Sequence, residues 1–222
     1  MAPRFPKEGL EFLRALQRNN RRPWFLKHKE DYERHVKAPM VELVMALSHD
    51  LPPEFIADPA KSIFRIYRDV RFSKNKLPYK THTAARFLPR GVPKHEGAGF
   101  YFHISTEEVW IGGGFYAPTP QEMLRVRTRI AEHHRKFAGI VESKVFRKHF
   151  GELQGSKLTR VPRGFPCDHS AAEWLKHKQW FAGADLPPDS ALSARFYESL
   201  VVHFRALTPL IQFLNASAQE AG

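Results

Sequence analysis

The sequence predicts an α+β fold, a single domain over residues 1–222 with a mostly antiparallel sheet packed by N-terminal, central and C-terminal helices. Three observations lead there. Apolar residues recur at helical spacing near both ends and in the middle of the chain, and they alternate at period two across part of the region between. No repeat, low-complexity tract or linker-like stretch divides the 222 residues. A chain this long buries roughly 70% of its unfolded surface. With 42% hydrophobic residues and 18 Phe it has the composition to fill a core.

Leu10, Leu13 and Leu16 form the first helical stripe, which Asn19-Asn20 close. Pro23 suits the first turn of a second helix with Trp24, His28, Tyr32 and His35 or Val36 at helical spacing. Pro39 opens a third, with Met40, Val44, Leu47 and Leu51 on one face. His28 and His35 can share a face, but no third ligand stands at metal-binding spacing, so no metal site is expected.

From Lys61 the period changes. In "SIFRIYRDVRF" Phe64, Ile66, Val70 and Phe72 alternate with Arg65, Tyr67, Asp69 and Arg71, which predicts a strand with one polar face. "SKNK" (73–76) is turn chemistry, and "AARFLP" returns as a strand. "GFYFHIS" and "EVWIGGGFY" flank Thr106-Glu107 as a hairpin whose second strand ends at Gly112 to Gly114. "GGGFYAPTP" has neither GxxxxGK[ST] nor GxGxxG spacing, so these glycines are read as bulge or close-packing residues, not a phosphate loop.

Thr119 and Glu122 make a capping box with Pro120 at the first helical position, ahead of Met123, Val126, Ile130 and Phe137. Pro162 and Gly164 suit positions i+1 and i+3 of a type I turn, and Ser170 with Glu173 forms a second capping box. Phe196, Leu200, Phe204, Leu207, Ile211 and Leu214 line a final helix, kinked or interrupted at Pro209.

Where the charge sits says more than its total of +12. Residues 59–104 hold ten Lys/Arg against two acids, a net +8, while residues 1–58 come to +1 and residues 182–222 to −2. Such clustering favours an anionic partner, a small molecule or a nucleic acid. The densest part is "RDVRFSKNKLPYK" (68–80). On an extended strand Arg65, Tyr67, Asp69 and Arg71 would project from one face about 6.6 Å apart. Asp69 would then hold a guanidinium in a fork-shaped pair and organise the remaining arginines, with Arg68 beside it. Ser73, Asn75 and the turn's backbone N–H groups would donate to the same oxyanion, and Lys76 and Lys80 would add charge. The predicted ligand site is therefore Arg65, Arg68, Asp69, Arg71, Ser73, Lys76, Tyr79 and Lys80. Arg160 and Arg163, with Lys157, form a second basic cluster that would close over the first. Cations are not metal ligands and acids are scarce, so neither metal nor cofactor is expected here. His82 and His103, on or beside predicted strands, each have the chemistry for acid–base work near neutral pH, but their spacing carries no signature and a satisfied core or surface histidine is the favoured reading of each.

The single cysteine, Cys167, cannot make an internal disulfide and reads as an inert filler. The first twenty residues hold no apolar leader core, and no stretch approaches the roughly 18 apolar residues of a membrane span. A cytoplasmic protein that does not enter membranes is expected. Oligomeric state is not legible.

"FLRALQRNNRRPWFLKHKEDYE", "IFRIYRDVRFSKNKLPYKTH", "GFYFHIS" with "GGGFYAPTPQEMLRVR", "LTRVPRGFPCDHSAAEWLKHK" and "LTPLIQFLN" together resemble a widespread bacterial and fungal family of conserved hypothetical proteins, a domain of unknown function with an RDxRFSxxKxPYK core. The resemblance implies a single α+β domain and brings no reaction, cofactor or catalytic residue. The positions that stand out by likeness include Asn19, Asn20, Trp24, Phe25, Phe72, Pro78, Pro162, Gly164 and Phe165 besides the basic set. At two positions the chain departs from many relatives, with Asn75 in place of Asp and His82 in place of Asn. Three functions are open: binding of a phosphate-bearing or other anionic ligand, an enzyme acting on a phosphoester-type substrate, and a protein-interaction module with a basic face.

Overall fold

Leu10, Leu13 and Leu16 lie buried along one side of α1 (Lys7–Arg18) in a computed structural model that describes residues 3–92 and 97–219. Asn19 closes the helix, its Nδ2 donating to the Ala15 carbonyl at 3.0 Å. The helix expected over Trp24 to Val36 is broken at His28 into α2 (Arg22–Lys27) and α3 (Lys29–Tyr32). The break divides the stripe. Tyr32 and Val36 enter the core, whereas Trp24, His28 and His35 stay part-exposed.

Pro39 continues a helix rather than opening one, because α3 passes through a π turn (Glu33–Lys37) into α4 (Ala38–Leu47). Proline has no N–H to offer the carbonyl four residues back, that of His35, and a widened turn accommodates the loss. The freed carbonyl lies against Gly9, where any Cβ would collide with it. Met40, Val44, Leu47 and Leu51 are buried together, as their spacing predicts.

Strands β1 (His82–Phe87), β2 (Gly99–Ser105), β3 (Val109–Phe115) and β4 (Trp180–Leu186) form an antiparallel sheet in the order β1-β2-β3-β4. Alternation is clear in β2. Phe100, Phe102 and Ile104 are buried, while Tyr101, His103 and Ser105 are part-exposed. The β2–β3 hairpin turns at Thr106-Glu107, where Ser105 N–H donates to the Glu108 carbonyl at 2.9 Å.

The stretch 63–72 is not a strand. It leaves α5 (Pro59–Ser62), which Asp58 caps, and pairs only at the isolated bridges Ile63↔Ala85 and Tyr67↔Tyr79. Gly112 to Gly114 lie inside β3 rather than at its end. They serve close packing. A Cβ on Gly113 would stand 2.6 Å from the Gly99 carbonyl, and Gly114, at φ +129°, faces the Trp180 carbonyl at a distance no side chain fits.

The capping box of Thr119 and Glu122 starts α6 (Pro120–Glu132), which buries Val126 and Ile130; Phe137 follows in α7 (His134–Val141) and Ser143 caps α8 (Lys144–Phe150). The Ser170–Glu173 box does not form at α9 (Ala172–Leu175). His169 takes the turn instead, accepting from Ala171 N–H at Nδ1 and from Ala172 N–H at its carbonyl, and Glu173 pairs with Lys176. The Pro162 turn is shifted by one residue: Phe165 N–H reaches the Pro162 carbonyl, which puts Gly164 (φ +93°) at the i+2 position that demands positive φ. Helix α10 (Phe196–Gln219) runs unbroken through Pro209. Cys167 is exposed rather than a packing filler.

By packing, the chain groups into two compact units: Met1–Phe87 with Tyr101–Ile111 and Asp185–Val202, and Leu88–Phe100 with Gly112–Ala184 and His203–Gly222. In the first, Phe102 packs on Phe87 and Phe196; in the second, Phe137 packs between Trp174 and Phe213. Among the described residues no helix is long and apolar enough to cross a membrane.

Gly114→Ala should lower unfolding stability by about 2–4 kcal/mol in chemical denaturation, since the added methyl meets strand backbone in a φ region that alanine avoids.

Candidate functional site

The basic stretch is a loop clamped at its base. Phe64 N–H donates to the Ala84 carbonyl (3.0 Å), Lys80 N–H to Ile66 (2.8 Å) and Arg68 N–H to Pro78 (2.9 Å). Residues 69–77 form the tip between these rungs. Asn20 supplies the anchor from outside the loop: its Nδ2 donates to the Tyr79 carbonyl and its Oδ1 accepts Tyr79 N–H, both at 3.0 Å. The side chain thereby copies a strand neighbour. The Tyr79 ring, 2% exposed, stacks on Phe25 with centroids 4.2 Å apart, and Tyr67 closes on both rings from the exposed side. Tyr79 is thus an anchor, out of reach of a ligand.

At the tip, Asp69 grips one arginine. Arg71 donates from Nε at 3.0 Å and Nη2 at 2.7 Å, and its backbone N–H reaches the same carboxylate at 3.2 Å. These bonds hold the Asp69 carboxyl down at about 2. Ser73 Oγ accepts from Asn75 N–H, Asn75 Oδ1 accepts from Leu77 N–H, and Lys76 Nζ donates to the Val70 carbonyl. The turn's donors are therefore taken up by its own side chains instead of pointing at a common oxyanion. Phe72 stands 95% exposed at the tip, with the Arg71 guanidinium over its ring.

The other cations sit at the base. Arg65 and Arg68 form no hydrogen bond or ion pair through their guanidinium groups among the described residues. Burial, and then Arg65, lower the Lys80 pKa. The predicted set thus separates into an internally bonded tip (Asp69, Arg71, Ser73, Lys76) and a base of Arg65, Arg68 and Lys80 with no carboxylate of its own. Arg160 and Arg163 belong to the second unit, both exposed in an irregular segment.

The loop base adjoins the polar face of the sheet. His82, which opens β1, has its pKa driven from 6.5 to about 4, first by burial and then by the positive charge of His103, Lys80 and Arg68. The His82 and His103 ring centres are 5.5 Å apart. His103 Nε2 lies 3.2 Å from Glu108 Oε1, across the hairpin register. Tyr101 and Trp110 stand beside His103 on the same face, 5.7 Å apart by ring centroid. Sequence reasoning singled out the two histidines without linking them, and missed Glu108, Tyr101 and Trp110. The period-two pattern of β2 puts Tyr101 with His103, but pairing them to Glu108 and Trp110 requires the hairpin register.

Asn19 and Trp24 serve elsewhere in the first unit. They line a cavity of about 470 Å³ with Phe12, His28, His35 and Asp31, and Trp24 stacks on His28 at 4.2 Å. Among the described residues no group of three His, Cys, Asp or Glu side chains is placed to hold a metal ion.

Removing the anchor by Asn20→Ala should cost about 1–3 kcal/mol, two hydrogen bonds to part-buried backbone groups, and should speed amide exchange at Tyr79 before it affects β2. A second expectation concerns pH. Between about 4 and 6.5 the unfolded chain binds a proton at His82 that the folded chain refuses, so stability falls as pH drops through that window. In paired unfolding curves His82→Gln should remove about 1–2 kcal/mol of that loss, the shift being discounted for solvent screening.

No curated protein and no solved structure matches the chain. Residues 8–213, which take in the loop, its Asn20 anchor and the strands that carry His82 and His103, match a family of conserved hypothetical proteins, DUF2461, and the chain belongs to that family.

Proposed function

We propose that this domain binds a phosphate-bearing ligand at the loop base, through Arg65, Arg68 and Lys80 with His82 beside them, and that it does so in the cytoplasm. One observation carries the reading: Asp69, the acid of the basic stretch, is committed to Arg71, which leaves three neighbouring cations without a carboxylate. Like charges held together and partly desolvated repel, and a bound anion relieves that repulsion while gaining charge-assisted hydrogen bonds. The clamped backbone on either side fixes where the three side chains leave the chain before a ligand arrives, which limits the ordering spent on binding. The Arg71–Asp69 pair and the Lys76 contact shape the tip and do not compete for the ligand. A second reading, in which the same cations stabilise charge during a reaction, is favoured by the closeness of His82 and His103.

An anion seated beside His82 stabilises its protonated form. Inorganic phosphate, titrated while the His82 ring protons are followed by NMR, should therefore raise the His82 pKa from about 4 by about one unit or more. Arg68→Ala and Lys80→Ala should each weaken phosphate binding about tenfold, and Arg163→Ala should not. An unmoved His82 titration through the millimolar range would remove the reading.

A further inference from the structure

Resting on the reading of the loop base as a phosphate site, the geometry points to a reaction: His82 and His103 form an acid–base pair that cleaves single-stranded RNA by transphosphorylation. The two rings, with centres 5.5 Å apart and planes at 50°, can present nitrogen atoms to different oxygens of one phosphodiester. Their environments differ in the sense such a division of labour needs. His82 is kept neutral, first by burial and then by His103, Lys80 and Arg68, so a ring nitrogen keeps its lone pair. His103 has Glu108 at 3.2 Å from Nε2, a carboxylate that orients the ring and leaves Nδ1 to meet the substrate.

RNA fits this pair because it brings its own nucleophile. His82 removes the proton of the 2′-hydroxyl as O2′ attacks phosphorus. The O2′–P bond forms, the P–O5′ bond breaks with its electron pair passing to O5′, and His103 delivers a proton there. The products are a 2′,3′-cyclic phosphate and a free 5′-hydroxyl. No group is oxidised or reduced, and proton exchange with water resets both rings. Arg68 and Lys80, both close enough to His82 to act on its charge, would meet the charge developing on the phosphoryl oxygens. Tyr101 and Trp110 are part-exposed beside His103, aromatic neighbours of the kind that contact the unpaired bases of single strands.

The test uses the full-length protein, a labelled single-stranded RNA oligonucleotide and the same strand with 2′-deoxy sugars, in EDTA, with products identified by mass spectrometry. The RNA should be cut to cyclic-phosphate ends and the deoxy strand left whole. His82→Asn and His103→Gln should each slow cleavage about 100-fold or more, with circular dichroism unchanged and salt-dependent binding of the deoxy strand retained. The deoxy strand keeps the test decisive if either variant folds poorly. Salt-dependent binding of both strands with no cleavage, or cleavage equal in the parent and both variants, overturns the reaction and leaves the anion site standing. Absence of binding to either strand, with no phosphate effect on His82, overturns both.

Discussion

The loop that carries most of the clustered charge keeps its shape because Tyr79 is held three ways. Its ring stacks on Phe25, its N–H and carbonyl are both satisfied by the Asn20 amide, and Tyr67 pairs with it across the loop. A basic segment of this kind has little apolar surface of its own to bury and repels itself. Anchored at one buried aromatic residue, it needs no strand to stay ordered. The same aromatic group extends through Phe12 and Tyr32, whose burial pushes the Tyr32 hydroxyl up to about 12. The first helices and the loop base therefore share one packing problem.

Electrostatics then divides the loop. Neighbours in sequence, Asp69 and Arg71 find each other because a carboxylate two residues before an arginine can accept both its backbone N–H and its guanidinium fork. That pair spends its charge locally in solvent. The positive character of the loop base that reaches the sheet comes from Arg68 and Lys80, which lower the basicity of His82 after burial and His103 have done so. Burial alone lowers a histidine, but nearby cations add to it with the same sign, so the loop base has excess positive field where the histidines sit.

Several local readings were overturned by groups outside the motif. The Ser170–Glu173 cap lost to His169, the Pro162 turn slid by one residue, and Pro39 became part of a continuous helix. At the cap a neighbouring group took the backbone donors, at the turn Gly164 took the place that needs positive φ, and at Pro39 a π turn absorbed the missing N–H; short motifs do not record such alternatives. Of the apolar face expected in 63–72 only Ile66 is buried, between exposed Arg65 and Tyr67; Phe64 and Phe72 are exposed, because alternation in a sequence marks an extended chain and not membership of a ladder that buries one side.

The α+β class, the helical stripes of α1, α4 and α6, the β2–β3 hairpin and the concentration of charge in one segment were all legible in the sequence, because each depends on the periodicity or composition of a few adjacent residues. Which cations are consumed by an internal partner and which remain was not, nor was the meeting of His82 with His103 and of His103 with Glu108. Those depend on strand register and on Asn20 reaching Tyr79 across 59 residues of chain, and only the packed tertiary structure decides such distances.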